Sequence, residues 1–199
     1  MPLNGYMEIP EEKLSFGLSP EFVGIAAADQ VWLNHIIRQH PEWRRCVEIG
    51  TSYGLTALFV SICMLAREGD CWTVDIAPPP YVSAITRMWP SNLHVLTLDA
   101  LPTTGLPAAA IVDVIASGIP TLVIMDGGDK TEEVRRYAPC LQSGSAFVVH
   151  DWVSELQPTG QVSWDLIRHV LAQGAGWTPL ALDEAERWNC YFRGWEKLS

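Results

Sequence analysis

Acidic residues recur where apolar runs end: Glu48, Asp75, Asp99, Asp126 and the pair His150-Asp151. A carboxylate can accept two hydroxyls at once, balance a cation, ligate a metal or take a proton, and a neighbouring histidine adds a group that titrates near neutrality. The first of these acids opens the segment Val47-Glu48-Ile49-Gly50-Thr51-Ser52-Tyr53-Gly54-Leu55-Thr56. There Gly50 and Gly54 separate a strand-like run from a helix-like run and let the main chain approach a ligand that a Cβ would push away. The spacing is neither the dinucleotide pattern G-x-G-x-x-G nor the phosphate loop G-x-x-x-x-G-K-[ST]. A Glu48 carboxylate aimed into the same crevice repels phosphates and favours a cationic or amine-bearing ligand.

The elements that must position these acids alternate along the chain. Phe22, Val23, Ile25, Ala26, Val31, Leu33, Ile36 and Ile37 recur at helical spacing after Ser19-Pro20, predicting a leading helix that ends near His40-Pro41. Strands follow at Cys46–Ile49, Cys71–Ile76, Leu93–Leu98, Thr121–Met125 and Ala146–Val149, with helices at Tyr53–Arg67, Tyr81–Met88, Pro107–Ser117 and Lys130–Leu141 between them. Repeated βα units specify a doubly wound, mostly parallel sheet with helices on both faces. The runs at 121–125 and 146–149 are almost wholly apolar, as strands covered on both sides are. After the loop Gln157–Gly160 we expect a helix at Val162–Gln173. Strands at Trp177–Leu182 and Trp188–Trp195 then flank a polar turn at Asp183–Arg187, reading as a terminal antiparallel hairpin and giving seven strands in all. Ligands of such sheets bind outside the carboxyl ends of the strands, where the acids recur.

With 199 residues, 48% of them hydrophobic, the chain suits one domain with a substantial core. Residues 1–18 are expected as an arm or lid and 19–40 as the leading helix. A formal net charge of −10 and a pI near 4.8 exclude a nucleic-acid partner, which needs a concentrated basic surface, and leave a small molecule, sugar or peptide. Cys46, Cys63, Cys71, Cys140 and Cys190 show no C-x-x-C pair, which points to free thiols and a reducing compartment. Met1–Ser19 lacks the pattern of a secretory signal, and the apolar run Ala57–Ala66 is far shorter than the about 20 residues of a membrane span. The expectation is a soluble cytoplasmic protein with no membrane partner. Nine tryptophans fill a core and are compatible with a homodimer surface. His35, His40, His94 and His169 have no partner at ligand spacing and read as structural.

The pattern E-x-G-x-x-x-G at Glu48, Gly50 and Gly54 resembles the first motif of class I S-adenosylmethionine (SAM) methyltransferases. A terminal hairpin after βα units is also what distinguishes their Rossmann-like sheet from the dinucleotide-binding one. The resemblance runs from Cys46 to the C-terminus. It implies that Asp75 accepts the ribose hydroxyls and Ile76 packs on adenine. Asp99 and Ala100 would then meet the adenine amine and ring nitrogen. Gly50 and Thr51, with Ser52 and Gly54 in the same turn, would lie along the methionine portion, with Glu48 near its ammonium group. Asp126-Gly127-Gly128-Asp129-Lys130, then Tyr137-Ala138-Pro139, Gly144 and Phe147 to Trp152, resembles the small O-methyltransferases and the sugar and cephalosporin-tailoring group.

In cation-dependent members, carboxylates at these two strand ends hold a divalent metal, and Asp126 matches the first of them. His150-Asp151 stands where the catechol-type enzymes have Asp-Asn. Asp126 with Asp151 suits Mg²⁺, whereas a metal using His150 would shift toward Mn²⁺, Fe²⁺ or Zn²⁺. Without a metal, His150 would serve as general base. Both readings stand at this stage. Lys130 lies near the position where the catechol-type enzymes place a catalytic lysine, though its spacing from Asp126 differs, and a solvated helix-start residue is the other reading. The implied activity is methyl transfer to a hydroxyl of a small molecule or sugar. A non-catalytic SAM-binding relative or partner subunit is the alternative, and a nicotinamide-dependent oxidoreductase is disfavoured by Glu48 and the glycine spacing.

Overall fold

The computed structural model describes residues 27–52, 54–77, 91–151 and 176–198. The arm at 1–18, the first part of the leading helix, Tyr53, the expected helices at 81–88 and 162–173, and the loop at 157–160 lie outside the described residues. The elements are α1 (Ala27–Gln39), β1 (Arg45–Ile49), α2 (Leu55–Leu65), β2 (Asp70–Asp75), β3 (Leu93–Thr97), α3 (Ala109–Ile115), β4 (Thr121–Met125), α4 (Lys130–Tyr137), a 3₁₀ turn (Ala138–Cys140), β5 (Ala146–Val149), β6 (Trp177–Leu180), α5 (Leu182–Arg187) and β7 (Arg193–Lys197).

The seven strands form one sheet in the order β3-β2-β1-β4-β5-β7-β6. Strands β1 to β5 are parallel, while β7 runs antiparallel to both β5 and β6. The chain therefore winds outward from β1 to β3, returns to β4 beside β1, and continues the other way. That reversal opens a crevice at the carboxyl ends of β1 and β4. Ile49 pairs with Val74 and with Met125, and Met125 pairs with Val149. One residue further on, Gly50, Asp75, Asp126 and His150 stand level along the crevice.

Alternate strand residues feed two cores, one on each face. Cys46, Cys71, Leu122, Ile124 and Val148 pack with Trp32, Ile36, Val60 and Met64 of α1 and α2. Val47, Ile49, Val74, Val123, Met125 and Val149 pack with Ile111 and Ile115 of α3 and with Val134 and Tyr137 of α4. Because both faces are covered, β4 and β5 carry no exposed position and no polar alternation.

Two elements differ from expectation. The segment 183–187 is a helix rather than a turn, so β7 starts at Arg193 and not at Trp188. Asp183 and Glu184 in its first turn and Arg187 in its last complement the helix dipole, and Cys190 N donates to Ala185 O at 2.9 Å where the helix ends. The expected helix 130–141 stops at Tyr137, and Pro139, which has no N–H to donate, sits in the 3₁₀ turn that follows.

Candidate functional site

The turn after β1 is held from three sides. Gly50 has φ +93°, and a Cβ there would lie 2.4 Å from the carbonyl oxygen of Asp126. The glycine is thus required by the neighbouring strand, where the sequence suggested only closeness to a ligand. Gly54 also has a left-handed φ of 72°, and its N–H donates to Thr51 O at 2.6 Å. The main-chain N–H groups of Thr51 and Ser52 donate to Asp75 Oδ2 at 3.1 and 3.3 Å, and Ala77 N donates to Oδ1 at 3.1 Å. Among the described residues, three of the about four lone-pair sites of this carboxylate are taken, leaving one on Oδ1. Next to it Ile76 is 69% exposed, an apolar side chain standing at the crevice rim.

Glu48 lies deeper. It is 1% exposed and its Oε2 accepts from Thr73 Oγ1 at 2.5 Å, while the Thr51 and Thr73 hydroxyl oxygens are 2.7 Å apart. With the Thr73 proton committed to Glu48, Thr51 must be the donor to Thr73. Burial pushes the Glu48 carboxyl up to about 8, reinforced by the charges of Asp126 and Asp75 and opposed by the Thr73 hydroxyl and the Ala57 main chain. At neutral pH it is mostly protonated.

Beyond β3, Asp99 is exposed and its Oδ1 accepts from Leu101 N at 2.8 Å, while Ala100 O accepts from the hydroxyl of buried Tyr137. The same hydroxyl accepts from Ala108 N at 3.0 Å, so α4 fixes the loop that carries Asp99 and Ala100.

At the ends of β4 and β5 the carboxylates meet cations. Lys130, the first residue of α4 and 3% exposed, places Nζ 3.0 Å from Asp151 Oδ2, 3.7 Å from Asp126 Oδ1 and 3.0 Å from Gly127 O, to which it donates. Asp129 caps that helix by accepting from Glu132 N at 3.0 Å. His150 Nδ1 is 3.0 Å from Asp126 Oδ1 and 3.3 Å from Asp151 Oδ1, and its Nε2 is 3.5 Å from Asp29 Oδ2. Burial pulls the imidazole down, but contacts with Asp126 and Asp29 and the charge of Asp151 outweigh it and push His150 up to about 10. It stands as a cation among three carboxylates. Asp151 is 55% exposed on a left-handed backbone of φ 56°.

Glu48, Thr51, Ser52, Gly54, Asp126, Lys130, His150 and Asp151 thus surround a single cavity of about 280 Å³, joined by Leu55 and Thr56. Asp75, Ile76, Asp99 and Ala100 are placed along the same edge of the sheet, outside its walls. Asp126, His150 and Asp151 bring one donor atom each within 4.8 Å of one another, close enough for a metal ion. Their oxygens already face Lys130 and His150, so a metal would have to displace the ammonium group.

Sequence reasoning missed Asp29, Thr73 and Glu133. Asp29 looks like an ordinary first-turn acid of a helix, and Thr73 like a strand residue. Glu133 reads as a solvated helix position, yet it is 1% exposed and accepts from Gly127 N at 3.3 Å, with burial pushing it up to about 7. None carried a signal in spacing. Of the histidines expected to be structural, His40 stacks on Trp43 and bonds Glu42, His94 stacks on Trp72 and His35 abuts Trp188, while His169 lies outside the described residues.

No protein family model matches the chain, and no curated protein does. Solved structures do. The 1,6-didemethyltoxoflavin-N1-methyltransferase of Burkholderia thailandensis, with bound 1,6-didemethyltoxoflavin and S-adenosylhomocysteine, superposes with a TM-score of 0.54 at 12% identity over 87% of this chain and 79% of that one. CmcI-N160 with S-adenosylhomocysteine gives 0.58 at 13% identity over 87% and 78%. The MycE methyltransferase of the mycinamycin pathway, with Mg and S-adenosylhomocysteine, gives 0.51 at 17% identity over 83% of this chain, which spans about half of that enzyme (48%). The fold is the Rossmann-like fold of SAM-dependent methyltransferases.

Proposed function

We propose that the protein is a SAM-dependent methyltransferase that acts on an oxygen of a small molecule or sugar. The observation that carries this reading is the placement of Glu48, Asp75 and Asp126 on three adjacent strands beside a glycine turn. Asp75, which among the described residues meets only main-chain amides, and Glu48, which ionises when a cation completes its surroundings, suit a ligand bearing sulfonium and ammonium groups and repel a pyrophosphate. S-adenosylhomocysteine bound to neighbours of the same fold supports the choice of cofactor. Asp75, through its open Oδ1 site, would meet the ribose, with Ile76 against adenine and the 51–54 turn along the methionine portion.

SAM supplies a methyl group on a positively charged leaving group, so the protein has to align the acceptor and receive its proton. As the new C–O bond forms and the C–S bond breaks, the hydroxyl proton has to leave. Asp151, exposed to the cavity, is the carboxylate we assign to orient that hydroxyl and take the proton. Lys130 and His150 hold Asp151 and Asp126 in place and balance their charge. In this arrangement both His150 nitrogens face carboxylates and neither is free to act as a base.

A divalent cation is the second reading, favoured by the three donors of Asp126, His150 and Asp151. Hard oxygen ligands would suit Mg²⁺, which lowers the pKa of a bound hydroxyl. Mn²⁺ binding followed by electron paramagnetic resonance separates the two. No bound Mn²⁺ in the wild type, with binding gained in Lys130→Met, is expected if Lys130 supplies the charge; tight binding to the wild type would favour the metal.

The cofactor assignment is tested by calorimetric titration with S-adenosylhomocysteine, with NAD⁺ as control. Micromolar binding of the first alone is expected, and absence of binding would overturn the assignment. An acceptor screen with SAM then separates an enzyme from a non-catalytic SAM-binding relative.

A further inference from the structure

We propose that Asp29, on the leading helix α1, is a positioning residue of the acceptor site that fixes the ring of His150 from the side opposite Asp126. The proposal rests on the methyl-transfer reading for its functional meaning. Asp29 is fully buried, and its two oxygens are used differently. Oδ1 accepts from Tyr191 N at 2.7 Å and from the Cys190 thiol at 3.1 Å, which ties α1 to the segment entering β7. Among the described residues Oδ2 has no hydrogen-bond partner, and it faces His150 Nε2 at 3.5 Å.

Anchoring the Cys190–Tyr191 segment requires one acceptor, which a neutral asparagine supplies as well. A second, unsatisfied oxygen on a buried carboxylate is expensive unless it has a partner charge. His150 is the group it points at. Asp126 and Asp151 both meet one ring nitrogen, Nδ1, and leave the imidazole free to turn about that side. The contact from Asp29 defines the ring plane, and Phe192, with its ring centre 4.5 Å away, closes one side. Tyr191 is half-exposed, with its ring 6.3 Å from that of His150. Residues 161 and 162 positions apart thus act as one support for a strand-end side chain.

The test is an imidazole ¹H–¹⁵N correlation spectrum of the uniformly labelled full chain near neutral pH. The wild type should show two slowly exchanging His150 ring N–H resonances, both absent from His150→Gln. Asp29→Asn should lose the Nε2–H resonance and keep the Nδ1–H one, and the double variant Asp126→Asn/Asp151→Asn should do the reverse. A role confined to anchoring the Cys190–Tyr191 segment would leave the Nε2–H resonance in Asp29→Asn, and that result overturns the proposal. Should Asp29→Asn fail to fold, absence of an Nε2–H resonance from the wild type overturns it equally. S-adenosylhomocysteine is titrated into the same samples, with unchanged affinity expected for Asp29→Asn. No binding to the wild type with the resonances present would sink the methyl-transfer reading and leave the Asp29–His150 contact standing.

Discussion

Replacing Glu48 by Gln should make the protein more stable, and increasingly so as pH rises. The folded chain holds this carboxyl at about 8 against an ordinary value of 4.5, because it is buried beside Asp75 and Asp126, with Cys46 on its own strand also close enough to feel its charge. The folded state therefore binds the proton more tightly than the unfolded state, so stability falls as pH rises through the window from 4.5 to about 8. At 1.36 kcal/mol per decade, the burden is about 1 kcal/mol at pH 5, about 3 kcal/mol at pH 7 and about 4 kcal/mol at pH 8. Gln keeps the shape and the acceptor for Thr73 and has no proton to lose. Urea unfolding of wild type and Glu48→Gln at several pH values between 5 and 8.5 should show a stability gap that widens steadily and then levels off. The thermal midpoint should rise by about 6–12 °C at pH 7 for a chain of this size. A gap independent of pH would mean that Glu48 is ionised in the folded protein at neutral pH, and the account of its burial would be wrong. Retention of so costly an acid is understandable if a cationic ligand completes its surroundings, so the same variant should bind SAM more weakly than the wild type does.

Asp75→Asn should weaken S-adenosylhomocysteine binding by about 10- to 100-fold, the value of one hydrogen bond to a charged acceptor, and calorimetry giving equal affinities would remove Asp75 from the ribose site. Gly50→Ala must place a Cβ 2.4 Å from Asp126 O on a left-handed backbone, so it should lose roughly 3 kcal/mol or more, and an unchanged melting point would contradict the packing of this turn. Tyr137→Phe leaves Ala108 N–H and Ala100 C=O without their partner at a cost of about 1–3 kcal/mol each, measurable by urea unfolding. A neutral Tyr137→Phe would show that α4 does not fix the loop holding Asp99 and Ala100.

The strands could be read from the sequence because burial on both faces leaves an unmistakable signature: Leu122, Val123, Ile124 and Met125 have no polar position to hide. Asp75, Asp126 and His150-Asp151 followed from the same rhythm, since they interrupt apolar runs where the sheet stops, whereas Glu48 lies one residue inside β1 and Asp99 two residues beyond β3. What periodicity could not supply is contact between distant segments. Asp29 meets His150, Cys190 and Tyr191 only after α1 and β7 have docked, and Glu48 meets Thr73 only across the β1–β2 register. The helix at 182–187 was missed because six residues are too few to display a period, and its acidic start and basic end resemble a polar turn.

The level row of strand ends has two electrostatic halves. On the β1–β2 side, Glu48 and Asp75 are met by hydroxyls and main-chain amides and, among the described residues, by no lysine, arginine or histidine within ion-pair distance. On the β4–β5 side, Asp126 and Asp151 are paired with Lys130 and His150. Neutral donors orient the Asp75 carboxylate without cancelling its charge, and the protonated Glu48 ionises most readily beside a cation, so the first half attracts a cation; internal pairs cancel charge locally, so the second half accepts a neutral hydroxyl without a desolvation penalty for unpaired acids. A sulfonium cofactor and an uncharged acceptor would need this division, and it arises because β1 and β4 are neighbours in space while belonging to opposite windings of the sheet. The methyl group would have to pass between the two halves, from the 51–54 turn toward Asp151, across the cavity that both line.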